Sequence, residues 1–411
     1  MLTKRWHHRF GRSANSPNAL EVEQVLTVPS QMRGRRPDRQ MAQDPGGYQP
    51  QLDGVRAIAV LAIIVFHART SWLPGGFIGV DVFFVLSGFL ITRILQREMA
   101  TKGSISFKDF YIRRALRLFP ALAVACAIIA ILNWILVTLP ERSATLVGTI
   151  GALTYSSTWL MAFNVVDLGD MVPTWSLAVE EHFYVIWPVL ALLVLRGPRR
   201  LPAMLILTSV AAAYTFIIPA VFGWNEGRSY YAPDTRAVQL LIGCLVAVVL
   251  QEINVRIPAI WALGACVPLV AFAVVPGVFP DLFYARGGSV LVALAAGFIV
   301  AHAATSGKSW TSRVLATAPM VWVGQRSYGI YLWNLPIISL MAFTGSGVAA
   351  ILGKLLLCFL IPALSYRYIE QPFLRLKKHF TGGQRQTSAV GAASSYARRP
   401  MRMKVHLRDQ A

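Results

Sequence analysis

Long runs of apolar residues, separated by short polar connectors, recur along most of the 411-residue chain. A helix needs about 20 residues to cross the hydrocarbon core of a bilayer, and most of these runs approach that length. The pattern predicts an all-α polytopic membrane bundle. We place about ten transmembrane helices at residues 53–70, 77–96, 117–139, 173–195, 201–222, 235–251, 258–276, 287–305, 319–343 and 348–371.

The basic residues of the connectors indicate how the bundle is oriented. Arginine and lysine are concentrated in every second connector, with the flanking helix ends: 92–117, 196–200, 252–257 and 306–313. Because cytoplasmic loops carry an excess of such residues, we predict a multi-pass protein of the inner (plasma) membrane with both termini cytoplasmic. Residues 144–163 are moderately apolar, but a further crossing there would break this pattern. We expect them to form a re-entrant or interfacial segment.

Composition agrees with a membrane domain. The chain is 55% hydrophobic with a mean hydropathy of +0.53, and its charged fraction of 14% lies well below the ~25% of soluble domains. The formal charge of +20 resides mainly in the connectors and tails, which argues against a nucleic-acid partner. We predict disordered basic cytoplasmic tails at 1–50 and 374–411 around a membrane domain at 51–373. The four cysteines lie in apolar runs without metal-binding spacing, so we predict packing roles and no metal site.

Several ionisable residues lie within the predicted spans, where an unpaired charge is costly and usually functional. A rise of 1.5 Å per residue places Arg56 near the inner face and His67 about 16 Å further out. The second span brings Asp81, and the fourth brings Glu180, to a similar depth. We therefore expect a histidine and carboxylates to converge in the outer half of the membrane.

Each of these residues also has a purely structural interpretation. His67 could be an interfacial packing residue, and Asp81 could cap a helix or neutralise a neighbouring charge. Arg114 and Arg117 could serve only to orient the protein. Their i, i+3 spacing, however, places both guanidinium groups on one helix face, which suits a polyphosphate.

Seven ordered motifs resemble those of the bacterial transmembrane acyltransferase family 3. In chain order they are LDGVRAIAV at 52–60 running on to His67, GGFIGVDVFFVLSGFLI at 75–91, FYIRRALRLFP at 110–120, WSLAVEEHFY at 175–184, PDTRA at 233–237, SYGIYLW at 327–333 and YIEQPF at 368–373. The resemblance spans about residues 50–373. One departure is Asn334, where family members commonly carry histidine.

This resemblance implies a ten-helix integral-membrane O-acyltransferase. Such an enzyme moves an acyl group, often acetyl, from cytoplasmic acyl-CoA to a hydroxyl of an extracytoplasmic carbohydrate or lipid-linked acceptor. The family's functional positions match Arg56 and His67, Arg114 and Arg117, and the segment that contains Trp175, Ser176 and Glu180. From the later motifs we add Asp234, Arg236, Tyr328 and Tyr331, which with Trp175 and Ser176 form the predicted substrate-binding set.

The expected chemistry uses His67 as a general base that takes the proton of the attacking hydroxyl. Asp81 or Glu180 would orient its ring, and Arg56, Arg114 and Arg117 would bind the CoA phosphates. Transient acylation of His67 would be one way to relay the group across the membrane. We expect no permanently bound cofactor. The expected donor is acyl-CoA, in the form of acetyl-CoA, and membrane lipids surround the protein.

A second class of function also fits a many-helix protein with buried charges. A transporter or flippase for an envelope lipid or glycan would have the same composition. Inverted repeats between the two halves would favour it, but none is apparent, and the marked motifs are concentrated in the first 190 residues. The sequence therefore favours an enzyme.

Overall fold

The apolar runs form α-helices because a chain within hydrocarbon must satisfy its backbone hydrogen bonds internally. The computed structural model describes residues 48–137, 139–275, 283–307, 309–345 and 347–382. Its α-helices are α1 Pro50–Ala68, α2 Gly79–Lys102, α3 Phe107–Leu136, α4 Leu139–Leu153, α5 Ser157–Ala162, α6 Thr174–Arg196, α7 Arg200–Val221, α8 Glu226–Tyr231, α9 Pro233–Ile253, α10 Ala259–Val274, α11 Ser289–Thr305, α12 Trp310–Leu315, α13 Ala318–Gln325, α14 Ser327–Leu340, α15 Val348–Ser365 and α16 Gln371–Gly382.

The predicted all-α membrane bundle is confirmed, and this is a multi-pass membrane protein. Eight helices in the described part of the chain are long and apolar enough to span a bilayer. The other two predicted spans are shorter in the structure. The span predicted at 258–276 is the 16-residue α10, and the one at 319–343 is divided into α13 and α14 by the non-helical backbone of Arg326.

Two further predictions concern segments outside these spans. Residues 144–163 lie in the short helices α4 and α5, separated by a left-handed residue, Tyr155, so neither helix is a full span. The carboxyl-terminal tail predicted as disordered from residue 374 is helical as far as Gly382, since α16 continues the preceding helix. The predictions for residues 1–47 and 383–411 lie outside the described residues.

Helices α2 and α9 pack in close contact through two glycines. A Cβ atom on Gly88 would overlap the carbonyl oxygen of Leu240, and one on Gly243 would overlap that of Val85. Small residues permit such close approach of backbones, which is how helices associate tightly within a membrane. The two helices run in the same direction, so residues seven positions before each glycine also face each other.

The ends of several helices lie close together at one end of the bundle. The end of α1, the start of α2 and the end of α10 meet where the amide of Gly75 donates to the carbonyl of Ala273 at 3.0 Å. On the same side, Thr158 of α5 donates to the carbonyl of Tyr231 of α8 at 2.5 Å. Because His67 lies one residue before the end of α1, we call this the His67 end of the bundle.

Candidate active site

The ring of His67 is held by an amide on another helix. Its Nδ1 lies 2.5 Å from Oδ1 of Asn334, a buried residue of α14. The amide nitrogen of Asn334 donates to the carbonyls of Ile330 and Tyr331, at 3.0 and 2.6 Å. Since that nitrogen is committed to acceptors, Oδ1 must accept from His67, and Nδ1 therefore carries the proton.

This hydrogen bond leaves Nε2 as the nitrogen with a free lone pair. Within the described residues Nε2 has no hydrogen-bond partner, and the side chain is only partly buried. A neutral imidazole with its proton fixed on Nδ1 and an open Nε2 is the form that accepts a proton from a substrate. The geometry therefore suits the predicted base.

The expected carboxylate beside His67 is replaced by this amide. Asp81 instead forms a buried ion pair with Arg236, with Oδ1 to Nη1 at 3.1 Å, and it also accepts a hydrogen bond from the hydroxyl of Tyr284. The physical reason lies in the α2–α9 contact. Asp81 and Arg236 each precede a contact glycine by seven residues, about two helical turns. Both side chains therefore lie on the helix faces where α2 and α9 are in contact. The structure thus gives Asp81 the role of neutralising a neighbouring charge.

Glu180 also has different neighbours from those expected. Its carboxylate accepts hydrogen bonds from Ser87 at 2.8 Å and Tyr184 at 2.9 Å, and it lies 3.9 Å from Nη2 of Arg114. The guanidinium of Arg114 also stacks on the ring of Tyr184, 3.5 Å from its centroid. The sequence predicts the connector 92–117, which contains Arg114, on the cytoplasmic side and Glu180 in the outer half. They meet because α3 begins at Phe107, well before the span predicted from residue 117, so that Arg114 already lies about 10 Å along the helix.

Three arginines lie close together around this point. The guanidinium of Arg117 interacts electrostatically with those of Arg56 and Arg114. Arg56 has a partial counter-ion in Asp53 at 3.8 Å, and Arg117 interacts electrostatically with Glu180 and Glu370 but forms no ion pair or hydrogen bond within the described residues. These carboxylates offset part of the repulsion among the three guanidinium groups, and a bound polyphosphate would relieve more of it.

Polar groups connect His67 to this arginine cluster. Tyr331 lies one turn before Asn334 on α14, and its hydroxyl is 2.6 Å from Oγ of Ser176. Ser176 lies one turn before Glu180 on α6, which reaches Arg114. We call this series the polar line; in order it consists of His67, Asn334, Tyr331, Ser176, Glu180 and Arg114. It places polar side chains between the His67 end and the arginines, and the buried hydroxyls of Tyr331 and Ser176 also bond to the carbonyl of Pro173.

The remaining predicted residues lie elsewhere. Trp175 belongs to an aromatic cage around Arg236. The guanidinium of Arg236 lies 5.5 Å from the centroid of the Trp175 ring and 4.1 Å from the centroid of the Tyr230 ring. Asp234 pairs with Arg228 near the surface. The hydroxyl of Tyr328 donates to the carbonyl of Leu118 at 2.8 Å, a link between α14 and α3. None of these contacts reaches His67 directly.

Some residues of the site were missed by the sequence analysis. Asn334 was noted only as a departure from the family, although it contacts the ring of His67. Tyr184 and Ser87 hold Glu180, and the i, i+4 spacing of Glu180 and Tyr184 was the available signal. Tyr284 lies some 200 residues from Asp81 in the chain, and nothing in the local pattern pairs the two.

The model of a family described as an acyltransferase domain matches residues 49–367. The chain belongs to this acyltransferase family. The matched region contains the whole polar line and the three arginines.

Members of the family include named relatives with substantial identity. The chain is 36% identical to the peptidoglycan O-acetyltransferase OatA of Listeria monocytogenes, over 79% of this chain and 56% of that protein. It is 34% identical to the putative peptidoglycan O-acetyltransferase YrhL of Bacillus subtilis, over 79% and 55%. For the O-acetyltransferase OatA of Staphylococcus aureus the identity is 33%, over 79% and 57%. The chain thus spans about half the length of these curated relatives, and no solved structure matches it.

Proposed function

We propose that this family member is an O-acetyltransferase that moves an acetyl group from acetyl-CoA to a hydroxyl of a cell-envelope glycan, with His67 as general base. The observation that carries the proposal is the bond from His67 to Asn334, which leaves Nε2 open at one end of the polar line. The family and the names of its relatives support the reaction class and the acceptor class.

In the proposed reaction the glycan hydroxyl gives its proton to Nε2 of His67 as its oxygen attacks the thioester carbonyl carbon. The new C–O bond forms, the C–S bond breaks, and the CoA thiolate recovers the proton from the imidazolium. Ester and free CoA are the products, so atoms and charge balance. A positioned base of this kind contributes about 10² to 10⁴ in rate.

The donor would be held by the arginine cluster. Arg114 and Arg117 project from one face of α3, and Arg56 adds a third positive charge beside them. Planar guanidinium groups bind phosphate through paired hydrogen bonds, which suits the phosphates of CoA. The polar line would then accompany the amide-containing pantetheine arm towards His67, with the arginine cluster on the cytoplasmic side and the acceptor arriving at the His67 end.

The site also restricts where acylation of the protein could occur. Nε2 of His67 is the open nucleophilic nitrogen, and its attack on the thioester would give an acyl-imidazole that the hydroxyl then resolves. Direct transfer needs one step fewer, and we propose it as the main route. A trapped acyl adduct on His67 after donor addition without acceptor would instead indicate the relay.

The experiment uses the full-length protein in proteoliposomes. Acetyl-CoA with a labelled acetyl group is supplied on one side and soluble peptidoglycan fragments on the other, and both labelled ester and free CoA are measured. We expect the two products in equal amounts, dependent on acceptor. A flippase or transporter would move the acceptor without releasing CoA, and that result would overturn the proposal.

A further inference from the structure

An arginine lies between two pairs of stacked aromatic rings at the His67 end of the bundle. The rings of Trp159 and Phe163 stack at 5.8 Å with an angle of 15°, and those of Trp224 and Phe222 at 6.3 Å with an angle of 28°. The guanidinium of Arg228 lies 3.9 Å from the ring of Trp224 and 5.9 Å from that of Trp159. We call these five side chains the aromatic platform.

Arg228 is fixed in place by contacts that leave its flat faces to the rings. Its two terminal nitrogens donate to the two carboxylate oxygens of Asp234, at 2.8 and 2.5 Å. Tyr214 donates to the same carboxylate at 2.8 Å. Edge-on pairing satisfies the charge of the guanidinium in its plane, while its faces remain available for stacking. The arginine therefore extends the aromatic surface from one ring pair to the other.

The outer rings of the platform are exposed because the chain turns away directly behind them. Phe163 is followed by Asn164 and Phe222 by Gly223, both with left-handed backbone, at φ 51° and 59°. Phe163 is 62% exposed and Phe222 is 67% exposed. The indole nitrogen of Trp159 is bonded to His182 at 3.3 Å, so the edge of this ring is fixed.

The polar neighbours of the platform favour a sugar over a lipid chain, although Val165 and Val221 are also exposed next to its two phenylalanines in the chain. Asn164, Asn225 and Glu226 are exposed beside it, and the ion pair of Arg228 with Asp234 lies within it. A hydrocarbon chain gains nothing from these polar groups. The C–H faces of a pyranose ring complement the negative faces of aromatic rings, and its hydroxyls complement amides and carboxylates.

A chain of ring contacts leads from the platform to the proposed base. Tyr230, on the same short helix as Arg228, contacts Phe77 at 6.2 Å. Phe77 contacts Phe66 at 5.6 Å, and Phe66 contacts the ring of His67 at 5.4 Å. Packed rings thus extend from the helix that carries Arg228 to His67, and the platform lies at the same end of the bundle as the open nitrogen of His67.

We infer that the aromatic platform binds sugar rings of the acceptor glycan chain beyond the one that is acetylated. This inference rests on the proposed function, because it names how the acceptor of that reaction is held. The protein would then bind glycan polymers in preference to single sugars, and single sugars would be poor acceptors. Asp234 then acts as a positioning residue, since it holds Arg228 between the rings.

The test compares acceptors of different length in full-length protein carrying Phe163→Ala and Phe222→Ala together. We expect KM for a peptidoglycan oligomer to rise about tenfold, with kcat unchanged and transfer to a single disaccharide unchanged. The matched control is Phe343→Ala, because Phe343 is 84% exposed in the short turn directly after α14, outside the platform. An oligomer KM equal to that of the wild type, or a loss equal to that of the control, would overturn the inference.

A second measurement separates this inference from the proposed function. Acetyl-free peptidoglycan oligomers are titrated into the detergent-solubilised protein without donor, and tryptophan fluorescence reports binding. We expect saturable quenching that Trp224→Phe weakens less than Trp224→Ala, since the former keeps a ring. Saturable binding in a protein that transfers no acetyl would refute only the reaction. If lipid vesicles quench the fluorescence and oligomers do not, the rings form a membrane-interface belt, and the inference of a sugar-binding platform is refuted.

Discussion

Replacing Asn334 should separate the orientation of His67 from the folding of the bundle. Asn334→Leu keeps a similar volume but has no acceptor for Nδ1–H, whereas Asn334→Asp keeps an oxygen in the same place. The amide of Asn334 is fully buried and bonds to two helix carbonyls. Because those carbonyls belong to helix α14, which supplies its own donors, losing the side chain mainly affects the histidine.

The size of the effect follows from the single bond that is lost. A typical hydrogen bond contributes about 0.5–1.5 kcal/mol, which corresponds to up to about tenfold in rate. Losing the fixed tautomer adds to this, because an imidazole with its proton on Nε2 cannot accept one there. We therefore expect kcat to fall about 10- to 100-fold in Asn334→Leu and only a few-fold in Asn334→Asp.

The assay is steady-state acetyl transfer by purified protein, with thermal unfolding measured in the same detergent. KM for acetyl-CoA should stay constant in both variants, since the arginine cluster is untouched. Equal losses of kcat in the Leu and Asp variants would mean that the acceptor oxygen is irrelevant. A Leu variant with wild-type kcat would refute the assigned tautomer.

Three further predictions concern the arginines, the buried ion pair and the helix contact. Arg114→Gln with Arg117→Gln should raise KM for acetyl-CoA about tenfold or more and make binding less salt-sensitive; unchanged KM would leave them an orienting role only. Asp81→Asn or Arg236→Gln alone should lower the free energy of unfolding by about 3–5 kcal/mol, as measured by thermal unfolding. The double variant should lose less than the sum of the two single losses, and additive losses would argue against a direct pair. Gly243→Ala should lower the yield of folded protein because its methyl group meets the carbonyl of Val85, while Gly353→Ala, with open space around it, should not.

The positions of most spanning helices could be predicted from the sequence. Hydropathy located the main apolar helices, because length and composition decide whether a segment can cross hydrocarbon. The prediction failed at α13 and α14, where one apolar run is divided at Arg326. Hydropathy averages over such a break, since a single residue with non-helical backbone changes the mean by little.

The partners of the charged residues were harder to predict. Depth alone paired Asp81 with His67, yet rotation about each helix axis decides which neighbour a side chain meets. The seven-residue spacing of Asp81 to Gly88 and Arg236 to Gly243 contained that information, but only once the α2–α9 contact was known. Asn334 was beyond prediction from local pattern, because its contact with His67 joins residues 267 positions apart.

The role of Nε2 of His67 as the base can be examined with one substitution and its matched control. His67→Gln removes the basic nitrogen, while His182→Gln makes the same change at a histidine of α6 that bonds to Ala178 and Trp159. With acetyl-CoA and a disaccharide acceptor, we expect kcat to fall about 10² to 10⁴-fold in His67→Gln and to stay near wild type in His182→Gln. Wild-type turnover in folded His67→Gln protein would show that His67 is not the base.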